Sequence, residues 1–186
     1  MPVSQHAGVG DKVSHNEGRI WVYYSDDGGD NWKPSKEIPN PQNILLQEPG
    51  IVSLSSDSLM VFMRSDQHAQ FISRSVDGGL TWSPVKKSNI PSPLSPASIV
   101  KIPRTKNLLM VWNHNVESQD RTPLSIAISF DGGKSWEKEK QIEDNPKGSY
   151  CYTAIHFTKS EVLLGYFDWS TRALTIKRIL LNCFYR

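Results

Sequence analysis

The chain has 186 residues, enough to bury a single core, with 38% hydrophobic residues, 22% charged residues and a formal net charge of +2. The charges form no basic run, which argues against nucleic-acid binding, and no apolar stretch approaches the ~20 residues of a membrane span. The two cysteines, Cys151 and Cys183, make neither a disulfide framework nor a zinc pattern, so we expect no metal site.

The first segment, residues 1–18, is polar, contains glycine and shows no strand pattern. We therefore predict an irregular segment there, followed by a repeat region over 19–186. The segment also lacks the apolar core of a signal peptide, so no secretory signal is predicted and the compartment stays open.

Short apolar or alternating stretches predict β-strands through the rest of the chain, and none shows a convincing helical stripe. The strands group into four units, at roughly 19–45, 46–92, 93–146 and 147–186. In chain order the predicted strands are 19–24 and 33–38; 51–54, 59–64, 71–75 and 83–88; 99–102, 108–113, 124–129 and 137–142; and 152–157, 162–168 and 173–179.

Three copies of one octet, SDDGGDNW, SVDGGLTW and SFDGGKSW, follow the third strand of their units, beginning at Ser25, Ser75 and Ser129. A turn signature repeated at intervals of about 50 residues is typical of a β-propeller, a radial array of small antiparallel sheets. Asp-Gly-Gly suits a hairpin that needs positive φ, and the Trp is interpreted as an anchor against the sheet. We expect a structural role for the shared residues, which are Asp27, Gly29, Trp32, Asp77, Gly79, Trp82, Asp131, Gly133 and Trp136.

The strand order predicts that all three octets lie on one rim of the array, because each joins a third strand to a fourth. Functional side chains are then expected at the opposite rim, where first strands begin, second strands end and third strands begin. Four residues there have suitable chemistry: Glu48, Arg64, Arg121 and Tyr152.

These four residues also fit plain structural roles. Glu48 could satisfy backbone N–H groups at a strand start, while Arg64 and Arg121 have nearby acidic partners in Asp66 and Asp120. Tyr150 competes with Tyr152, because it lies two residues away on the same predicted strand face. His114 and Asp168 occupy positions equivalent to Arg64 in their own units, and they are weaker candidates for substrate contact.

With its octets and the ordered set Glu48, Arg64, Arg121 and Tyr152, the sequence resembles the sialidase superfamily, in particular the branch with BNR repeats, whose octets are called Asp boxes. The segments EPGIVSL and GSYCYTAIHF add to the likeness, which runs from about residue 19 to about residue 177. The resemblance implies a six-bladed all-β propeller, of which this chain would supply three to four blades.

The resemblance also implies a retaining exo-α-sialidase without a cofactor. Tyr152 would be the nucleophile, Glu48 its base, and Arg64 and Arg121 a clamp for the carboxylate of a sialylated or other acidic glycan. His114 and Asp168 would be further substrate contacts.

Two family elements have no match in the sequence: an early Arg-Ile-Pro motif and a loop Asp that acts as acid and base. We therefore expect a C-terminal portion of a longer protein, with exposed blade faces that favour self-association. The alternatives are a propeller that binds glycan or protein without hydrolysis, and a truncated pseudoenzyme.

Overall fold

The computed structural model describes residues 1–5 and 18–185. In this part of the chain, fourteen β-strands are followed by a short 3-10 helix, Leu181–Phe184. The strands are β1 Pro2–Gln5, β2 Arg19–Tyr24, β3 Lys33–Pro34, β4 Leu46–Ser53, β5 Leu59–Ser65, β6 Ala69–Ser75, β7 Lys86–Pro91, β8 Ser98–Lys101, β9 Leu108–Asn113, β10 Leu124–Ser129, β11 Glu137–Glu143, β12 Tyr150–Phe157, β13 Glu161–Asp168 and β14 Ala173–Leu180.

Four antiparallel sheets follow one another along the chain, in the orders β1-β2-β3, β4-β5-β6-β7, β8-β9-β10-β11 and β12-β13-β14. The first strands of consecutive sheets contact one another, β1 with β4, β4 with β8 and β8 with β12. Sheets that meet through their first strands form the radial arrangement of an incomplete β-propeller, as the repeats predict.

The core lies between the sheets, where alternating apolar side chains of neighbouring blades pack face to face. Ile20, Leu46 and Phe71 are buried between the first two sheets, and Met60, Phe62 and Met110 between the next two. Leu124, Leu164 and Tyr166 are buried between the last two sheets.

The strand predictions need several corrections, and the strand predicted at 33–38 is confined to Lys33–Pro34. Pro2–Gln5 form β1 inside the segment predicted to be irregular, because they pair in register with β2, from Pro2 with Val22 to Gln5 with Arg19. The strand predicted at 83–88 lies at Lys86–Pro91, and β4 and β12 begin earlier than predicted. The remainder of the N-terminal prediction lies outside the described residues. No helix in residues 1–5 and 18–185 is long and apolar enough to cross a bilayer.

Each Asp box is a hairpin turn closed by its own side chains. In the second box Asp77 accepts hydrogen bonds from the N–H and hydroxyl of Thr81, and Ser75 Oγ accepts from the N–H of Gly79 at 2.9 Å. The first and third boxes repeat this pattern around Asp27 and Asp131. The carboxylates therefore hold their own turns together.

The three box tryptophans differ in burial. Trp82 is buried and donates from its indole N–H to the carbonyl of Gly79. Trp32 makes the same bond to Gly29 but is half exposed, so its role as an anchor against the sheet stays a prediction. The Trp136 ring packs against the core between the second and third sheets, and its indole N–H has no partner there.

Candidate functional site

Glu48 and Tyr152 occupy equivalent places in two first strands. The pairing of β4 with β5 shifts between Gln47 and Gly50, and that of β12 with β13 shifts between Cys151 and Ala154. Each shift is a β-bulge, and the candidate residue inside it has positive φ, 48° for Glu48 and 54° for Tyr152. Non-glycine residues in this region are strained, and such strain concentrates at functional sites.

The bulges turn Glu48 and Tyr152 toward one open cleft of about 410 Å³. Glu48 comes from the second sheet and Tyr152 from the fourth, and both side chains are exposed. The third sheet lies between them and contributes Ser98, whose hydroxyl bonds the carbonyl of Thr153 at 2.7 Å. The cleft is lined by Glu48, Pro96, Ser98, Tyr152 and Thr153. A carboxylate and a phenol from different blades therefore face the same space.

Arg64, at the end of β5, lies directly beside Glu48. Its Nη1 is 3.1 Å from Glu48 Oε2, and its side chain is largely buried. On its other edge, Nε and Nη2 donate to Gln47 Oε1 at 3.1 and 2.7 Å. The guanidinium is thus fixed by two consecutive residues of β4, and Asp66, the alternative partner considered from the sequence, instead accepts from Gln67.

Arg121 lies beside Tyr152. Its backbone carbonyl accepts from the N–H of Tyr150 at 3.0 Å, which ties the loop before β10 to the start of β12. Its guanidinium carbon is 5.8 Å from the centre of the Tyr152 ring. A cation at this distance from an aromatic ring is attracted to it.

Tyr150 and Tyr152, the two competing phenols, have different surroundings. Tyr150 is 4% exposed and packs edge-on against Tyr166, with ring centres 5.9 Å apart. Burial, followed by the negative charge of Glu143, raises the pKa of Tyr150 above its usual range. Tyr152 is 58% exposed. The bulge separates the faces that the sequence placed together, and only Tyr152 lines the cleft.

The structure does not bring His114 or Asp168 to this cleft. His114 stacks on Trp112 and contacts Glu139 on the outermost strand of its sheet, with Nδ1 2.5 Å from Oε1. Asp168 accepts from the N–H and hydroxyl of Ser170, and the hydroxyl bond is the main cause of its lowered pKa. Both side chains are occupied by local structure.

Three residues of the site were not predicted from the sequence: Gln47, and Ser98 and Thr153, which line the cleft. The only sequence feature that points to Gln47 is its place directly before Glu48. Its position opposite Arg64 depends on the cross-strand register, and the bulge that sets this register has no clear sequence pattern.

Comparisons with a family model and with individual proteins point to the same family. The model of the BNR repeat-like domain matches residues 1–166. A sialidase of Bacteroides fragilis is 23% identical over 168 residues, covering 87% of this chain and 30% of that protein. A sialidase of Vibrio cholerae serotype O1 is 27% identical over 173 residues, covering 76% and 22%. The chain therefore spans less than a third of the length of these relatives.

Solved structures show the same fold. The NanB sialidase of Streptococcus pneumoniae superposes with a TM-score of 0.70 at 20% identity, over 91% of this chain and 28% of that one. The leech intramolecular trans-sialidase gives a TM-score of 0.71, also at 20% identity, with the same coverage of 91% and 28%. At this identity the similarity shows the propeller fold alone.

Proposed function

The chain belongs to the BNR repeat-like domain family of the sialidase superfamily, and on that premise we propose that the protein carrying it is a retaining glycoside hydrolase for sialylated or similar acidic glycans. The observation that supports this proposal best is the shared cleft of Glu48 and Tyr152, with an arginine beside each of them.

The two arginines account for an acidic substrate. A guanidinium binds a carboxylate through two parallel hydrogen bonds, a geometry that lysine cannot supply. Arg64 and Arg121 come from different blades and lie beside opposite walls of the cleft. A sugar carboxylate between them would fix the orientation of the ring.

The phenol suits the same substrate. In a sialoside the anomeric carbon carries a carboxylate, which would repel a carboxylate nucleophile, whereas a neutral phenol approaches without that penalty. Tyr152 Oη attacks the anomeric carbon while Glu48 takes the phenolic proton, and the bond to the leaving oxygen breaks. In the second step water attacks the anomeric carbon of the glycosyl-tyrosine, the protonated Glu48 returns its proton to the departing phenol oxygen, and the group that first protonated the leaving oxygen takes the proton of the water; two displacements give net retention.

The leaving oxygen also needs a proton. Among the described residues that line the cleft, Glu48 is the only carboxylic acid. We propose that the general acid and a third arginine come from other parts of the whole protein, so hydrolysis is assigned to that protein.

The test is release of sialic acid from a fluorogenic sialoside by the whole protein. General-base and nucleophilic roles predict that Tyr152→Phe lowers kcat by about 10²-fold or more. Tyr150→Phe is the matched control, because it removes a phenolic oxygen two residues away and keeps the buried ring; its kcat should stay near the original value.

Full activity in Tyr152→Phe would reject Tyr152 as nucleophile, and a large loss only in Tyr150→Phe would assign the role to Tyr150. Tight binding of a sialoside without turnover by the unsubstituted whole protein would reject hydrolysis in favour of a glycan-binding propeller.

A further inference from the structure

We infer that Gln47 is a positioning residue. Its neutral side chain holds the guanidinium of Arg64 ready for an anionic ligand and keeps Glu48 from pairing with the Nε/Nη2 edge of that guanidinium. The contacts of Gln47 and Glu48 with Arg64 concern the ligand-free protein, and the effect on binding of an anionic ligand rests on the proposed function.

The contacts divide the guanidinium of Arg64 into two regions. Gln47 Oε1 accepts from both Nε and Nη2, whereas Glu48 Oε2 meets Nη1. A guanidinium has two edges that a carboxylate can bind through paired hydrogen bonds, Nε/Nη2 and Nη1/Nη2, so a ligand carboxylate would use the second. Because Gln47 occupies the Nε/Nη2 edge, the neighbouring carboxylate of Glu48 is limited to Nη1.

The neutrality of Gln47 matters for charge. Arg64 already faces one carboxylate, and a second carboxylate on its other edge would more than offset its positive charge, which would weaken attraction for an anion. An amide oxygen supplies the same acceptor geometry without a charge. Gln47 therefore fixes the cation while leaving its attraction for a carboxylate largely intact.

The position of Gln47 follows from the bulge. Gln47 pairs directly with Arg64 in the last regular step before the register shifts, so their side chains lie on the same face of neighbouring strands. Glu48 follows with positive φ and turns toward the cleft. One bulge thereby assigns consecutive residues to two tasks, an anchor for Arg64 and a wall of the cleft.

The first experiment measures the ligand-free chain. The Arg64 Nε–H resonance is followed by NMR in the unsubstituted chain and in Gln47→Leu, which has a similar volume and no acceptor. We expect slow hydrogen exchange in the unsubstituted chain and clearly faster exchange in Gln47→Leu. Equal protection in a folded Gln47→Leu chain would overturn the inference, whether or not the protein is a hydrolase.

The second experiment measures binding of N-acetylneuraminic acid and of its uncharged carboxamide to the whole protein. Loss of the hydrogen bonds to Arg64 should weaken binding of the acid about tenfold in Gln47→Leu. Binding of the carboxamide should change little. Equal losses for both ligands would indicate a general structural defect and would contradict an anchor specific for the carboxylate site.

Gln47→Glu adds a readout that packing alone would not change. We expect weaker binding of the acid at pH 7 in Gln47→Glu than in the unsubstituted whole protein, because a second carboxylate beside Arg64 offsets its positive charge, and little change in binding of the carboxamide. Unchanged binding of the acid by Gln47→Glu would contradict the role of neutrality. If the unsubstituted whole protein binds neither ligand, the proposed substrate is wrong, while Arg64 protection still decides the role of Gln47.

Discussion

At the scale of single residues, the backbone at Tyr152 is a source of strain that can be measured. Its φ of 54° is unfavourable for any residue with a Cβ, by roughly 1–2 kcal/mol. We therefore expect Tyr152→Gly to have a free energy of unfolding about 1 kcal/mol higher than Tyr152→Ala. Urea denaturation of the two variants gives the difference directly, since both have lost the phenol ring.

The control is Ala154, which follows on the same strand, is exposed and has no positive φ. There the order should reverse, with Ala154→Gly less stable than the unsubstituted chain by about 0.5–1 kcal/mol. If glycine is the worse residue at both positions, the bulge at Tyr152 carries no strain.

Asp27 offers a second residue-scale prediction, on pH. Hydrogen bonds from the Asn31 N–H and then the Ser25 hydroxyl hold the pKa of Asp27 below its usual range. A lowered folded-state pKa means that the stabilisation is present above the unfolded-state value of about 3.9 and is lost as pH falls through the folded value. Unfolding free energies between about pH 6 and pH 2 should show this loss.

Asp27→Asn should make that loss of stability at low pH smaller. Asp26→Asn is the matched control, because Asp26 lies in the same turn and makes only an exposed ion pair with Lys33, at 3.2 Å. The pH dependence of Asp26→Asn should match that of the unsubstituted chain, and equal effects of both substitutions would contradict a special role for the box aspartate.

At the scale of elements, the bulge of β4 depends on a close approach between strands. A Cβ added at Gly50 would lie 2.3 Å from the ring of Phe62, which is buried on β5. Gly50→Ala should therefore displace a core ring and lower the free energy of unfolding by about 1–3 kcal/mol. Gly165→Ala is the control, because its added Cβ would meet only Ala154, at 3.9 Å. Equal stability of the two variants would contradict the close packing.

The same bulges mark the limit of prediction from sequence. The strands Leu108–Asn113 and Leu124–Ser129 have the predicted bounds, because continuous apolar runs define them. β4 begins at Leu46 rather than at 51, and β12 begins at Tyr150 rather than at 152, since a residue with positive φ breaks the period of two inside each strand. Position along a strand correctly placed Glu48 and Tyr152 near one rim. It failed for His114, whose side chain turns toward the outer strand and Glu139.

At the scale of the whole molecule, the last sheet leaves one face uncovered. Tyr166 faces the core between the last two sheets, whereas Leu174 and Ile176 on β14 are 75% and 68% exposed. Leu174 pairs with Phe167, which packs against Trp169 with ring centres 4.8 Å apart. These side chains form a continuous apolar surface, of the kind that the other sheets bury against a neighbour.

We expect the isolated chain to self-associate through this face. Its mean mass in sedimentation equilibrium should rise with concentration, and Leu174→Lys combined with Ile176→Lys should reduce that rise, because lysine introduces charge and lowers the apolar area. Val76→Lys is the matched control: Val76 is 82% exposed but lies in the hairpin turn that follows β6, in the second sheet. If the unsubstituted chain stays monomeric, the uncovered face does not drive association. The same conclusion follows if Val76→Lys reduces the rise in mass as much as the double substitution does.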